Sequence, residues 1–129
     1  MKLLLDTQIL VYWLIGTLPH KIKRRIEKAS DLLVSIVTPW EFALRTNPPS
    51  GKLRLPTTKE TEQILEELGA RILPITMEHT DIIYTLPLHH DDPFDRMIIA
   101  QALAEKCPVV SADERFPLYR SVGLQVFWD

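Results

Sequence analysis

His90-Asp91-Asp92-Pro93-Phe94-Asp95-Arg96-Met97-Ile98-Ile99-Ala100-Gln101-Ala102 joins an acidic helix start to a helix body that is apolar around most of its circumference. Asp92 suits the N-cap and Pro93 position N1, which puts Asp95 at N3, one turn above the cap. A body reading Met97-Ile98-Ile99-Ala100, then Ala102 and Leu103, belongs inside a domain. The stretch predicts a rigid, buried helix with a carboxylate at its N-terminus, where free N–H groups and the helix dipole keep the acid ionised and open to a cation. Alone, Asp95 is an ordinary cap acid. Its meaning depends on what the neighbouring segments bring beside it.

Lys2–Leu5 reads as a short buried strand ended by Asp6-Thr7, with Thr7 capping an apolar helix from Gln8 to Ile15 before Gly16. A second helix opens at Pro19. Ile22, Ile26 and Ala29 share one of its faces, and Lys21, Arg24, Arg25 and Lys28 line the adjacent one, as a solvated stripe or a phosphate contact. Leu32–Val37 is the second strand. Thr38-Pro39-Trp40-Glu41 follows as a capping box, with Thr38 at N-cap, Pro39 at N1 and Glu41 at N3. The order of cap, proline, aromatic and acid repeats that of Asp92-Pro93-Phe94-Asp95.

Asn47–Gly51 is a loop by composition, and Lys52–Pro56 a short extended basic segment. A helix from Thr57 or Thr58 runs to about Leu68, with Gly69 at C′, and Arg71–Pro74 is a third strand. Thr76–Leu86 reads as helical until Pro87. Beyond the central helix, Pro108–Ser111 is a strand with Asp113 just past its end, and Leu124–Phe127 is the last.

Strands that alternate with helices, with no tight hairpin between them, predict an α/β fold: a mainly parallel central sheet with helices on both faces, in one domain over residues 1–129. In such sheets ligands bind beyond the carboxyl ends of the strands. Asp6, Glu41, Asp95 and Asp113 all follow strands or the loops leaving them, so one sheet edge can collect these four carboxylates. Like charges gathered in a crevice call for a hard divalent cation, and oxygen-only ligation suits Mg²⁺ or Mn²⁺, one or two ions, rather than zinc. The reaction class is metal-assisted phosphodiester hydrolysis.

The net charge of -2 excludes a generally basic nucleic-acid coat, so any RNA contact has to be local. The one cysteine, Cys107, cannot form an internal disulfide, which fits a reducing cytoplasm. Met1–Leu5 imitates the start of a signal peptide, but Asp6 interrupts it. The uncharged run Thr7–Pro19 is shorter than the ~20 residues of a spanning helix, so no membrane partner is expected.

Leu4-Leu5-Asp6-Thr7, Trp40-Glu41, His90 with Asp92-Pro93-Phe94-Asp95-Arg96, and Ser111-Ala112-Asp113 resemble the acidic motifs of the PIN-domain ribonucleases, particularly the VapC-type toxins. The likeness covers nearly the whole chain, including Gly51-Lys52-Leu53 and Phe127-Trp128, and departs at Asp91, where such sequences commonly carry a basic residue. It implies a three-layer PIN-like sandwich and a metal-dependent endoribonuclease with Asp6, Glu41, Asp95 and Asp113 as metal-binding and catalytic acids. Thr7 and Ser111 would orient these acids, with Asp92 beside them. It also implies a homodimer, a cognate antitoxin, structured RNA as substrate and no nucleotide cofactor.

Arg24, Arg25, Arg45, Lys52 and Arg96 are the candidate RNA contacts, Arg96 being equally suited to pairing with a neighbouring acid. His89 and His90 read as structural or orienting groups rather than acid–base catalysts. The rivals are a stand-alone RNA-processing nuclease of the same fold, a catalytically silent binding module, a phosphoacceptor receiver domain and a haloacid-dehalogenase-type phosphatase. A receiver needs a lysine after a late strand, where Ser111-Ala112-Asp113 supplies none, and the phosphatase needs Asp-x-Asp, where position 8 is Gln.

Overall fold

The computed structural model describes residues 1–46 and 55–128. Its strands are β1 (Lys2–Leu5), β2 (Asp31–Ser35), β3 (Ala70–Leu73), β4 (Val109–Val110) and β5 (Val126–Phe127), and its α-helices are α1 (Thr7–Ile15), α2 (His20–Glu27), α3 (Val37–Thr46), α4 (Thr58–Leu68), α5 (Met77–Ile83) and α6 (Pro93–Glu105). A 3₁₀ helix over Phe116–Val122 precedes β5. The sheet runs β3-β2-β1-β4-β5 with every described pairing parallel. The chain winds one way from β1 to β3 and returns to add β4 on the other side of β1. The crevice between β1 and β4 is thus the switch point at which such sheets bind ligands.

Both faces of the sheet are buried, and alternate residues feed separate cores. Leu4 and Leu33 point into a core with α6, the 3₁₀ helix, Leu73 and Leu86. Leu3, Leu5, Leu32 and Val34 point into the other, with α1, α2 and α4. Each fully buried leucine or isoleucine contributes roughly 1.5–3 kcal/mol, which is why the strands read as continuous apolar runs. The α6 body packs as its composition predicts, with Ile98, Ile99 and Ala100 fully buried. Cys107 is buried too, and that burial pushes its thiol up to about 11.

The local signals hold at most ends. Asp92 caps α6 by accepting from the N–H groups of Phe94 and Asp95, and Thr57 closes a capping box on α4 with Glu60. Gly69 ends α4 with φ 67°, a left-handed conformation that glycine adopts without steric cost.

Four expectations are corrected. The cap of α1 is Asp6, whose carboxylate accepts from Thr7 N–H, and Thr7 is the first helical residue. Strand β2 stops at Ser35, two residues before the expected end, because the Ser35 hydroxyl accepts the Val37 N–H and starts α3 there. Pro39 therefore lies third in α3, a first-turn position with no N–H to lose. Helix α5 ends at Ile83, after which Thr85 and Leu86 N–H reach back three residues in tighter turns.

Candidate active site

Asp6 leaves β1 at the switch point. Its backbone N–H bonds to Val110 O of β4, and its buried carboxylate accepts from Thr7 N–H at 2.8 Å and from the Ser111 hydroxyl at 2.7 Å. That same hydroxyl accepts the Asp113 N–H at 3.1 Å, so Ser111 ties the acid after β1 to the acid after β4. Thr7 and Thr38 hydroxyls meet at 2.9 Å, joining α1 to α3 behind the acids.

Asp95 stands at N3 of α6, and its carboxylate is met by a residue of the preceding loop. His90 Nε2 lies 2.8 Å from Asp95 Oδ2 and 3.0 Å from Asp113 Oδ2. The ring is buried, and its Nδ1 accepts the Asp92 N–H at 3.2 Å. An Nδ1 that accepts carries no proton, so the proton sits on Nε2 and is shared between the two carboxylates. His90 thereby holds together two acids that would otherwise repel. Tyr119 fixes the loop from behind: its hydroxyl accepts the His90 N–H and donates to Pro87 O.

Glu41 sits in the second turn of α3 and does not make the expected bond to Thr38. Its Oε2 takes an ion pair from Arg45 Nε at 2.8 Å, while its buried Oε1 has no hydrogen-bond partner among the described residues. The aromatics of the two repeated segments pack edge to face, Trp40 against Phe94 at 4.9 Å, and set the N-terminal parts of α3 and α6 side by side. The result is a cleft of about 300 Å³ lined by Asp6, Glu41, Asp92, Asp95, Asp113 and their neighbours, with Arg45 and Arg115 also in its lining.

The electrostatics follow from this crowding. Burial, then the charges of Asp6, Asp92, Glu41 and Asp113, push the Asp95 carboxyl up to about 8. Burial raises Asp6 to about 6 against the bonds from Ser111 and Thr7, and burial also raises Glu41 against the Arg45 charge. Asp113 goes the other way: burial works upward, but the Arg115 backbone and guanidinium and the His90 ring outweigh it. Three acids of the cleft thus give up their protons only at a cost that a cation would offset, and for Asp95 burial and crowding outweigh the helix dipole expected to keep it ionised.

The remaining candidates are dispersed. Arg96 is withdrawn from any RNA contact and from acid pairing, because its Nη1 donates to Pro87 O, His90 O and the Tyr119 hydroxyl and its Nη2 to Ile83 O and Leu86 O. Arg45 rims the cleft and reaches 3.6 Å from Asp92. Arg24 and Arg25 lie on α2 along a separate concavity that also takes in Leu3 and the start of β1, so they do not border the cleft. Lys52 lies outside the described residues, with the Asn47–Gly51 and Lys52–Arg54 segments.

The family model of the PIN domain matches residues 3–121. The chain belongs to the PIN domain family. Solved structures with this PIN fold include VapBC2 from Rickettsia felis bound to a DNA fragment from its promoter (18% identity, 100% of each chain covered, TM-score 0.69). DNA-bound VapBC from Salmonella typhimurium is similar at 18% identity over 98% of this chain and 97% of that one, TM-score 0.69. A toxin–antitoxin complex from Klebsiella pneumoniae gives 17% identity, 88% of each chain and TM-score 0.60. No curated protein matches the chain.

Two residues of this PIN domain's site escaped the sequence reading. Arg115 donates its backbone N–H and its Nε to Asp113 Oδ1, an Asx turn that Asp113-x-Arg115 could have signalled. Tyr119 carries no such local signal, since it acts on His90 across 29 positions.

Proposed function

We propose that the protein is a Mg²⁺- or Mn²⁺-dependent endoribonuclease that hydrolyses RNA phosphodiester bonds, acting as the toxin of a cytoplasmic toxin–antitoxin pair. The observation that carries this reading is the convergence of Asp6, Glu41, Asp95 and Asp113 on one cleft in which Glu41 Oε1 is buried without a partner among the described residues. A buried, unsatisfied carboxylate oxygen beside three further acids is what a site for a hard cation requires. His90, Asp95 and Asp113 also offer ligand atoms within 4.8 Å of one another, but the His90 Nε2 carries its proton toward the carboxylates and has no lone pair to give. Ligation by oxygen alone, to one or two ions, is therefore favoured.

When bound, such a cation lowers the pKa of water and neutralises charge developing on the phosphate. The chain's own residues do the positioning. Ser111 fixes Asp6 relative to Asp113, and His90 fixes Asp113 relative to Asp95, so the acids are set before a cation arrives. Arg45 and Arg115, both about half exposed, rim the cleft and can exchange a carboxylate for a phosphate oxygen. Among the described residues no lysine lines the cleft, so these residues do not favour a phosphoacceptor site. Ile36, just before α3, and Trp40 and Leu44 on it leave an exposed apolar row, a surface suited to a second copy or an antitoxin, and the similar toxin–antitoxin complex favours such partners. Among the described residues no helix is long and apolar enough to cross a membrane.

Purified protein is expected to cut RNA in Mg²⁺ or Mn²⁺ and to stop in excess EDTA; equal cleavage in EDTA would end the metal reading. The positioning role of His90 makes a second prediction. His90→Leu should weaken Mn²⁺ binding about 10–100-fold by titration calorimetry, and His90→Gln, whose amide can still donate to the carboxylates, should recover part of it. Equal losses in both would reduce His90 to packing.

A further inference from the structure

A second concavity, about 580 Å³ against about 300 Å³ for the carboxylate cleft, runs along α2. Its charged lining is Lys21, Arg24, Arg25 and Lys28, with Met1, Leu3 and Ala29 as an apolar floor and no carboxylate among the described residues. The absence matters in a chain of net charge -2. Elsewhere Lys2, Arg45, Arg71 and Arg115 are each paired with an acid, whereas Lys21, Arg24 and Lys28 have no carboxylate partner among the described residues. The stripe lines a shallow, open hollow.

The hollow is joined to the cleft by aromatic side chains. Tyr12 lines the cleft and packs on Trp128 with ring centres 5.9 Å apart. Phe127, next in the chain, lies under the Arg25 guanidinium at 4.0 Å. All three rings are half-buried, each leaving some surface exposed. Leu3 of the hollow and Asp6 of the cleft are three residues apart along β1 and its exit, about 10 Å in an extended chain, so a ligand touching both must be long. Lys21, Arg24 and Lys28 for phosphates and the exposed parts of Tyr12 and Trp128 for bases, laid along one path, suit a single-stranded nucleic acid.

We propose that the groove of Lys21, Arg24, Arg25 and Lys28 is a second binding site for the phosphate backbone of RNA, reached from the carboxylate cleft across Tyr12, Trp128 and Phe127. The proposal rests on the RNA-cleaving reading of the cleft. It makes the segment a few nucleotides from the cut a determinant of affinity.

The test measures binding of a labelled single-stranded oligoribonucleotide of about a dozen bases to the intact protein in EDTA, over a range of salt. The Arg24→Ala/Lys28→Ala double variant should bind about tenfold more weakly, and its log-affinity against log-salt slope should fall by about 1.4, two single-strand phosphate contacts. Arg24→Lys/Lys28→Arg, which keeps both charges, should restore the slope. Both variants should melt with the parent, since these side chains are exposed. Unchanged affinity and slope, in a protein that still cuts RNA in Mg²⁺, would overturn the groove and leave the cleft reading standing. Loss of an acidic protein partner with RNA binding intact would overturn it in favour of a protein site. A parent that neither binds nor cuts RNA would remove both.

Discussion

Replacing Asp95 by Asn should cut RNA cleavage by at least about a hundredfold and leave the metal-free protein as stable as the parent or more so. Two readings of Asp95 assign opposite signs to its stability effect. As a plain cap acid at N3 of α6, its charge would contribute about 0.3–1 kcal/mol through the helix dipole, and the amide would melt lower. As a buried carboxyl crowded by Asp6, Asp92, Glu41 and Asp113, it keeps its proton up to about 8 and ionises only at a cost, which the amide does not carry. Altering a group behind a metal ligand typically costs 10–100-fold, so removing a ligand charge should cost at least about a hundredfold in cleavage rate. The variant should also gain less thermal stability from Mg²⁺, because only a ligand that binds the folded state raises the melting temperature. A variant that melts lower in EDTA, responds to Mg²⁺ as the parent does and still cuts RNA would contradict the assignment.

The metal-free protein is expected to lose stability as pH rises from about 4 to about 8. Asp95 and Asp6 hold their protons up to about 8 and about 6 in the folded state, against 3.8 for an ordinary Asp. Between those values the folded chain binds more protons than the unfolded one, so the unfolding free energy falls with rising pH and levels off above about 8. Asp31 and Asp113, whose carboxyls are lowered, act only at more acid pH and with the opposite sign. Mg²⁺ should flatten the decline, so the difference between melting temperatures with Mg²⁺ and with EDTA should widen toward pH 8. A melting temperature in EDTA that is flat or rising from pH 5 to pH 8 would contradict the crowding of these acids.

The sheet and α6 were legible because their signals are local. Apolar strand runs, Asp92-Pro93 at a helix start and Gly69 at a helix end each constrain the backbone within a few residues. The start of α3 was not, because Thr38-Pro39-x-Glu41 satisfies the capping-box pattern while Ser35, three residues earlier, caps first. That displacement frees Glu41 from the backbone and leaves its Oε1 unpartnered in the cleft. Strand exits put Asp6 and Asp113 on one sheet edge in the sequence, but that they are neighbours follows from the direct pairing of β1 and β4, which strand order in the chain does not fix. The bridging proton of His90 and the carbonyl cage around Arg96 depend on contacts across loops, which no periodicity encodes. The basic stripe of α2 was readable as a stripe, but its concavity and its separation from the cleft required the fold.

Binding of Mn²⁺ by the intact protein, followed by the loss of the free-ion signal in electron paramagnetic resonance, tests the central claim most directly. The four carboxylates should give saturable binding of one or two ions that disappears or weakens at least about tenfold in Asp6→Asn and in Asp95→Asn and stays with the parent in Asp31→Asn, an acid outside the cleft. No saturable binding by the parent, or binding that all three variants keep, would contradict it.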